Sequence, residues 1–343
     1  MPDRRKIVVG LSGGVDSSIA LLLLKQQGFV PFGVFLKFAY WERGIKNSKK
    51  VCEKLDIPFY IVDCQKEFRN RVIKYFLETL KNKQTPNPCV FCNKNFKFKK
   101  LFEFAKRKGI KLIATGHYAR IREDKTGKYE LLKAKDKTKD QSYFLCLLNQ
   151  DYLKNIIFPL GDYTKKQVYQ IAKKNKLNFL SEQKQSQDLC FDSQKIIKQE
   201  IKEKPGKIVD TQGNILGEHK GLHFYTIGQR KGINLSSGPW RVVNFDKNRN
   251  CLIITNNDKD PALYNKTIFI KNYNFISGKI IKKKIKIKIK LRYRNFSVSA
   301  VLYPPKNNNL KLVFNKLQKS IAPGQWAVFY DKEVCLGGGE ISL

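Results

Sequence analysis

The sequence predicts an α/β amino-terminal domain with a doubly wound parallel sheet, then a small β-rich central domain and a carboxy-terminal β-barrel. Three observations predict it. Over residues 5–115, short apolar runs bounded by turn residues alternate with helical patterns, the rhythm of a parallel sheet covered by helices on both faces. From about Lys202, glycines and short β-type runs dominate. Beyond about Thr267 the chain alternates with period two, as strands with one buried face do. The expected domain boundaries are 1–200, 201–265 and 266–343.

The first strands are Lys6–Val9, Val30–Leu36, Phe59–Val62 and Lys111–Ala114, short, apolar and bounded by turn signals. After the first comes Gly10-Leu11-Ser12-Gly13-Gly14-Val15-Asp16-Ser17-Ser18, and then a strongly apolar helix, Ile19–Leu24. A strand, a glycine-rich turn and a helix start form a phosphate cradle. Glycine lets the backbone approach, and free N–H groups with the helix dipole favour an anion. Asp16 is an acid where a phosphate is expected, which calls for a cation such as Mg²⁺ between the two. A Walker loop is excluded, because no Gly-Lys-Ser/Thr follows at the required spacing. A G-x-S-x-G nucleophile elbow matches Gly10, Ser12 and Gly14, but it needs a later Asp and His, and the histidines are His117, His219 and His223. Ligands of parallel sheets bind beyond the carboxyl ends of the strands. That puts the glycine turn, Leu36 and Thr115-Gly116-His117-Tyr118 at one edge. Leu36 is there either ordinary core or an apolar surface for a nucleobase.

Phe68, Val72, Ile73, Phe76, Leu77 and Leu80 recur at helical spacing. Thr85–Asn93 interrupts the rhythm. Pro86 and Pro88 exclude a helix until about Asn93, after which Phe96, Phe98, Leu101, Phe102 and Phe104 give an apolar helical face. Cys89 and Cys92 stand at this helix start, where the dipole lowers thiol pKa. A lone C-x-x-C fits redox chemistry, half a zinc site or two buried thiols. Tyr118–Arg122 and Lys128–Lys133 read as a hairpin, Lys139–Phe144 as the opening of a helix, and Thr164 as the cap of a basic helix to about Lys174. Ser186–Phe191 carries a third cysteine, Cys190. Gly206–Val209, Gly213–Leu216 and His223–Ile227 read as strands and Gly228–Gly232 as a basic loop. In Lys284–Arg292 the isoleucines face a core and the lysines face out, as a solvated strand or a phosphate-contacting stripe. Six or so short strands with Gly/Pro turns suggest a small barrel.

Lys and Arg total 67 against 29 Asp and Glu, a net charge of +38. Such an excess points to a polyanionic partner, nucleic acid first, with a lysine-rich compositional bias contributing. No run reaches membrane-spanning length and the chain opens directly into a strand, so a soluble, cytoplasmic protein with no membrane partner is expected. The eight cysteines (Cys52, Cys64, Cys89, Cys92, Cys146, Cys190, Cys251, Cys335) lack the spacing of a disulfide scaffold and suit burial, catalysis or metal binding.

The glycine turn resembles the Ser-Gly-Gly-x-Asp-Ser signature of the ATP pyrophosphatase (PP-loop) superfamily, whose fold is adenine nucleotide α-hydrolase-like and whose members split ATP between its α and β phosphates. GLSGGVDSS (10–18), TPNPCVFCNKNFKF (85–98), ATGHYAR (114–120), KDQSYFL (139–145), FPLG (158–161), SQDLCF (186–191), GLHFYTIGQRKG (221–232), LRYR (291–294) and PGQWAVFYD (323–331) together resemble the tRNA 2-thiouridylase family (MnmA/TrmU type). These motifs span nearly the whole chain.

The resemblance implies sulfur insertion at the wobble uridine of tRNA, with ATP and Mg²⁺ as cofactors and AMP and pyrophosphate released. ATP would adenylate the C2 oxygen. A persulfide on Cys190, loaded by a sulfur-relay protein or cysteine desulfurase, would bring the sulfur, and Cys92 would act as nucleophile, forming a disulfide with Cys190. Gly10, Leu11, Ser12, Gly13, Gly14, Val15, Asp16, Ser17, Leu36 and Gly116 would hold ATP. Asn87, Pro88 and Cys89 would meet the target base, and His117, Lys139, Asp140, Gln141, Arg292, Tyr293 and Gln325 would contact tRNA. One departure stands out: many family members have Asp where this chain has Cys89. Cys89, Cys92 and Cys190 then make a three-thiol set that would suit a [4Fe–4S] cluster with one open iron, while zinc would lack an evident fourth ligand. Two other functions share part of the pattern. A PP-loop ligase for a small molecule would use the first motif but needs neither the cysteines nor the charge. A non-catalytic RNA-binding protein would explain the charge but not the glycine turn.

Overall fold

The computed structural model describes residues 5–38, 42–180 and 189–343 of the chain; Ser186–Asp188 of the Cys190 motif lie outside the described residues. The strands of the amino-terminal half are β1 (Lys6–Leu11), β2 (Val30–Lys37), β3 (Phe59–Asp63), β4 (Leu112–Thr115), β5 (Ala119–Glu123), β6 (Tyr129–Lys133) and β7 (Ile156–Ile157). β3, β2, β1, β4 and β7 pair in that order, all in parallel. The pleat of β1 sends Ile7, Val9 and Leu11 into a cluster with Ile19–Leu24 of helix Val15–Gln26, Val51 of Glu42–Lys54, and Val168 and Ala172 of Lys165–Lys174. Val8 points the other way, into a cluster with Phe98, Leu101 and Phe104 of helix Phe98–Arg107. Burial on both faces explains why β1 reads as a continuous apolar run rather than an alternating one.

The central unit is a four-stranded sheet of β8 (Gly206–Asp210), β9 (Ile215–His219), β10 (Arg241–Asp246) and β11 (Cys251–Thr255), ordered β10-β11-β8-β9 around a small core of Ile208, Leu222, Ile233, Val242, Leu252 and Ile254. The last unit comprises β12 (Tyr264–Phe275), β13 (Ile285–Lys290), β14 (Val298–Leu302), β15 (Leu310–Lys319), β16 (Trp326–Asp331) and β17 (Val334–Ser342). The order β12-β15-β14-β13-β16-β17 closes on itself through β12–β17 pairing, which removes open edges. Ile287 and Ile289 point into the barrel core, while Lys286 and Lys288 are exposed, as the alternation requires.

β16 is buried on both faces. Ala327 and Phe329 fill the barrel, whereas Trp326, Val328 and Tyr330 join the cluster that holds Val8 and Phe98. The barrel and the nucleotide-type sheet therefore share one core. The β5–β6 hairpin tightens that union, since β6 pairs antiparallel with β17 and extends the barrel sheet.

Three sequence-based expectations need correction. The helix around the cysteine pair begins at Pro88, not Asn93, because proline fits the first turn of a helix, where its missing N–H costs nothing; Asn87 caps it through Val90 N–H. His223–Ile227 is not a strand: Leu222–Phe224 forms a 3₁₀ turn. Lys139–Phe144 yields only the 3₁₀ turn Ser142–Leu145. By contrast the expected hairpin is present as β5 and β6, and its pairing with β17 adds it to the barrel sheet. Thr164 caps Lys165–Lys174 with a full capping box to Gln167.

The barrel alternation makes a stability prediction. Ile289→Ala, which empties a fully buried site, should cost about 2–5 kcal/mol, whereas Lys286→Ala should stay within about 0.5 kcal/mol. Urea unfolding followed by tryptophan fluorescence measures both; equal effects would contradict the register.

Candidate functional site

β1 has β2 on one side and β4 on the other, so the winding of the sheet reverses between β1 and β4. A crevice forms at such a switch point, and a cavity of about 780 Å³ opens there. Its lining includes Gly10, Leu11, Ser12, Gly14, Val15, Asp16 and Ser17 of the glycine turn, Leu36 of β2, and Gly116 and His117 after β4. Pro88, Cys89, Cys92, Cys190, Lys139, Gln141 and Tyr293 line it as well.

The glycine turn is locked from within. Ser12 N–H donates to Ser17 Oγ (3.1 Å), and the Ser17 and Ser18 hydroxyls donate to the Gly14 carbonyl (3.2 and 3.0 Å). Gly13 has φ +75°, and a Cβ there would lie 2.4 Å from the Gly44 backbone. Only glycine meets both conditions. Gly116 is equally constrained: a Cβ would come within 2.7–2.9 Å of Ser17 N, Asp16 C and Ser17 Cα. The two loops thus touch backbone to backbone beside the first turn of Val15–Gln26, and a helix N-terminus is suited to an anion. Asp16 is already partnered: Lys165 Nζ lies 2.6 Å from its Oδ1 and the Tyr118 hydroxyl donates to the same atom at 2.8 Å. Burial, then the Asp16 charge, pushes the Tyr118 hydroxyl far up, and burial pulls the Lys165 ammonium down.

Cys92 ends the short helix Pro88–Cys92 and is followed by a π-helical turn, Asn93–Lys97, a local widening that re-aims side chains. Lys97 lines the same cavity. Cys190 is carried in by its neighbour Phe191, which packs edge-on against Phe68 and Phe76, with ring centroids at 6.1 and 5.3 Å. The expected dipole-lowered thiol is not found. Burial holds Cys92 up to about 11 and Cys190 up to about 12, and raises Cys89 too. Desolvation outweighs the dipole at the start of this helix. Lys97 is the cation that opposes burial at all three thiols. It also adds to the burial that drives His117 well below its usual range. The His117 ring is thus neutral, with Nδ1 2.7 Å from Thr115 Oγ1.

Other expected contact residues have partners within the fold. Asp140 is buried, and its carboxylate accepts from Ala134 N–H, Ser142 N–H and Ser142 Oγ. Arg292 donates to the carbonyls of Ile227 and Ser320, and Gln325 Nε2 donates to those of Thr85 and Pro86. Gln141 Oε1 accepts from Tyr118 N–H. Gly13, Asn87, Asp140, Arg292 and Gln325 do not line the cavity, whereas Tyr293 reaches it by packing on Phe144 at 4.4 Å. Tyr118, expected at this edge of the sheet, lines the cavity, and sequence reasoning missed Lys97, Phe144, Lys165 and Arg294, which line it too. A lysine among so many carries no signal of its own.

The described residues contain eight free cysteines and no group of three or more His, Cys, Asp or Glu disposed to hold a metal ion. No helix among them is long and apolar enough to cross a membrane.

Three domain families match in succession: the tRNA methyl transferase HUP domain over residues 5–194, the tRNA methyl transferase PRC-barrel domain over 194–256 and the aminomethyltransferase beta-barrel domain over 265–341. The chain is 39% identical to the tRNA-specific 2-thiouridylase MnmA of Alkaliphilus oremlandii, over 99% of this chain and 98% of the relative. It is 40% identical to MnmA 1 of Caldanaerobacter subterraneus, over 99% of each. A solved 4-thiouridine synthetase–RNA complex with bound ATP is similar at a TM-score of 0.36 and 17% identity, over 55% of this chain and 45% of that one.

The geometry sets two expected outcomes. Gly116→Ala forces Cβ into backbone that cannot yield cheaply, and should weaken ATP binding by about 1–3 kcal/mol, read by equilibrium binding. In the ligand-free protein Cys92 alkylation should rise about tenfold per pH unit from about pH 7 to 10 without levelling; a plateau below about pH 8 would contradict the buried, protonated thiol.

Proposed function

The chain belongs to the family of tRNA-specific 2-thiouridylases, and from that premise we propose that this ATP-dependent tRNA sulfurtransferase acts at C2 of the wobble uridine, with Cys92 and Cys190 handling the sulfur. The observation that carries the reading is the shared cavity: the glycine turn and both cysteines line one space. Adenylation and sulfur transfer at one atom require that neighbourhood. The glycine turn, Leu36 and Gly116 would hold ATP. Asp16 would hold Mg²⁺, which neutralises phosphate charge when bound, in exchange for its ion pair with Lys165. Asn87, Pro88 and Cys89 would meet the target base, extruded from its stack, and His117, Lys139, Asp140, Gln141, Arg292, Tyr293 and Gln325 would contact or frame the tRNA.

In the sulfur step the Cys92 thiolate attacks Cys190 Sγ of a Cys190 persulfide. A Cys92–Cys190 disulfide forms, and the outer sulfur leaves as hydrosulfide with the electron pair of the broken S–S bond. Hydrosulfide adds to the adenylated C2, and AMP departs with the oxygen. A dithiol reductant then restores both thiols. The persulfide would come from a sulfur-relay protein or cysteine desulfurase in the cytoplasm. We also propose units at 1–200, 201–265 and 266–343, which the change of domain family near 194 and 265 supports.

The three thiols do not form a metal-holding group as they stand, so no step runs through a [4Fe–4S] cluster. Iron and sulfide analysis of anaerobically purified protein tests this: iron-free, active enzyme is expected, and activity that tracks a full cluster's iron would overturn it. Cys190→Ser should lower 2-thiouridine formation by about a thousandfold or more while tRNA-dependent pyrophosphate release persists. Pyrophosphate release that ignores tRNA would favour a small-molecule ligase, and none at all an RNA-binding protein.

A further inference from the structure

A second polar cleft lies apart from the catalytic cavity. Its volume is about 430 Å³ and its lining includes Lys81 and Lys83 before the cysteine helix, Lys247 of the β10–β11 turn and Lys271 of β12. All three structural units contribute an ammonium group. Lys271 is paired, 3.4 Å from Glu340 Oε1. Among the described residues, Lys81, Lys83 and Lys247 enter no ion pair. Lys83 is half-buried on a left-handed backbone, φ +58°, and burial together with the like charges of Lys204 and Lys247 disfavours its protonated form. Its charge also reaches two almost fully buried imidazoles of the central unit, His219 and His223. Burial, with the charge of Lys83, lowers both, opposed by Glu203 at His223 and by the Asn250 carbonyl at His219. Nδ1 of His219 and Nε2 of His223 have no hydrogen-bond partner. Converging like charges, of which Lys271 alone among the four has an ion-pair partner among the described residues, cost stability in the free protein, and an anion in the cleft reverses that cost.

We propose that this lysine cleft binds the RNA phosphate backbone and docks the tRNA across all three units. The inference rests on the tRNA reading above. The cleft suits phosphates and not bases, because lysine ammonium groups are point charges that position a backbone without reading sequence. It also lies at the root of the Thr85–Asn87 segment that leads into Pro88–Cys92, so a strand held here is close in sequence to the elements expected to meet the target base.

The test is binding of unmodified tRNA by fluorescence anisotropy over a salt series, comparing the native chain, K83Q/K247Q and K83R/K247R. ATP affinity is measured in parallel as a report of an intact fold. The log–log salt dependence changes by roughly 0.7–0.9 for each phosphate that is no longer neutralised. K83Q/K247Q should therefore lower the slope by roughly 1.4–1.8 and weaken binding at least about tenfold on any tRNA sequence, while K83R/K247R keeps both. Unchanged slope and affinity in K83Q/K247Q with ATP binding intact would overturn the proposal. So would unchanged tRNA binding with lost transfer from a persulfide-carrying protein, which would give the cleft to that partner. If the double variant loses ATP affinity, the exposed Lys247→Gln alone carries the slope test, with half the change expected. Native protein that binds no tRNA would instead defeat the functional reading itself.

Discussion

The site depends on a seam between the barrel and the nucleotide-type sheet. Thr85 N–H donates to the Pro323 carbonyl at 2.8 Å, and Gln325 returns its amide to the carbonyls of Thr85 and Pro86. Gly324, at φ +85°, lets the two segments approach, since a Cβ there would fall 2.8 Å from Gln84 Cβ and 3.0 Å from Thr85 N. Tyr143 adds a hydrogen bond to the Trp326 carbonyl, and the Ser142 and Tyr330 hydroxyls lie 3.1 Å apart. The Tyr143 and Ser142 bonds are buried, where an unmade partner costs more than the bond contributes. Together these bonds set where Pro88–Cys92 starts. The cysteine helix is thus positioned by the last third of the chain as much as by its own domain, and Tyr293 of the barrel completes the cavity wall.

The second constraint is electrostatic. Three thiols share a desolvated cavity in which Lys97 opposes burial at each of them. Burial comes first in raising Cys92 and Cys190, and the charge of a neighbouring thiolate adds to it at both. Such a site stores thiols in an inert state. Reactivity then requires a change in surroundings, such as the arrival of substrate or of a persulfide, whose outer sulfur is more acidic than a thiol. Asp16 follows the same logic: its charge is neutralised by Lys165 until a ligand offers a better partner. In the ligand-free protein Asp16 is thus paired and the thiols are desolvated.

Much of this is legible in the residues alone. The four parallel strands, the glycine turn, the helix cap at Thr164 and the isoleucine–lysine alternation of β13 rest on local periodicity and turn chemistry, which neighbours do not alter. The failures share a cause. Pro88 looks like a helix breaker, yet its place in the first turn makes it a helix starter. The dipole argues for an acidic Cys92, whereas burial by residues distant in sequence decides its acidity. The hydrogen bonds that Gln325 and Arg292 make within the protein are likewise set by segments distant in sequence, which their motifs do not reveal. Lys97 and Lys165 do not stand out among the chain's many lysines, because their significance arises only where the fold brings them to Cys92 and Asp16.

Release of sulfur from Cys190 by Cys92, within the ATP cavity, is the step on which the proposed chemistry turns. A single turnover with Cys190 preloaded as persulfide, ATP and unmodified tRNA, followed by thiol trapping and mass spectrometry, tests it most directly. One Cys92–Cys190 disulfide per 2-thiouridine formed is the predicted result. 2-Thiouridine formed while Cys92 remains a free thiol would contradict it.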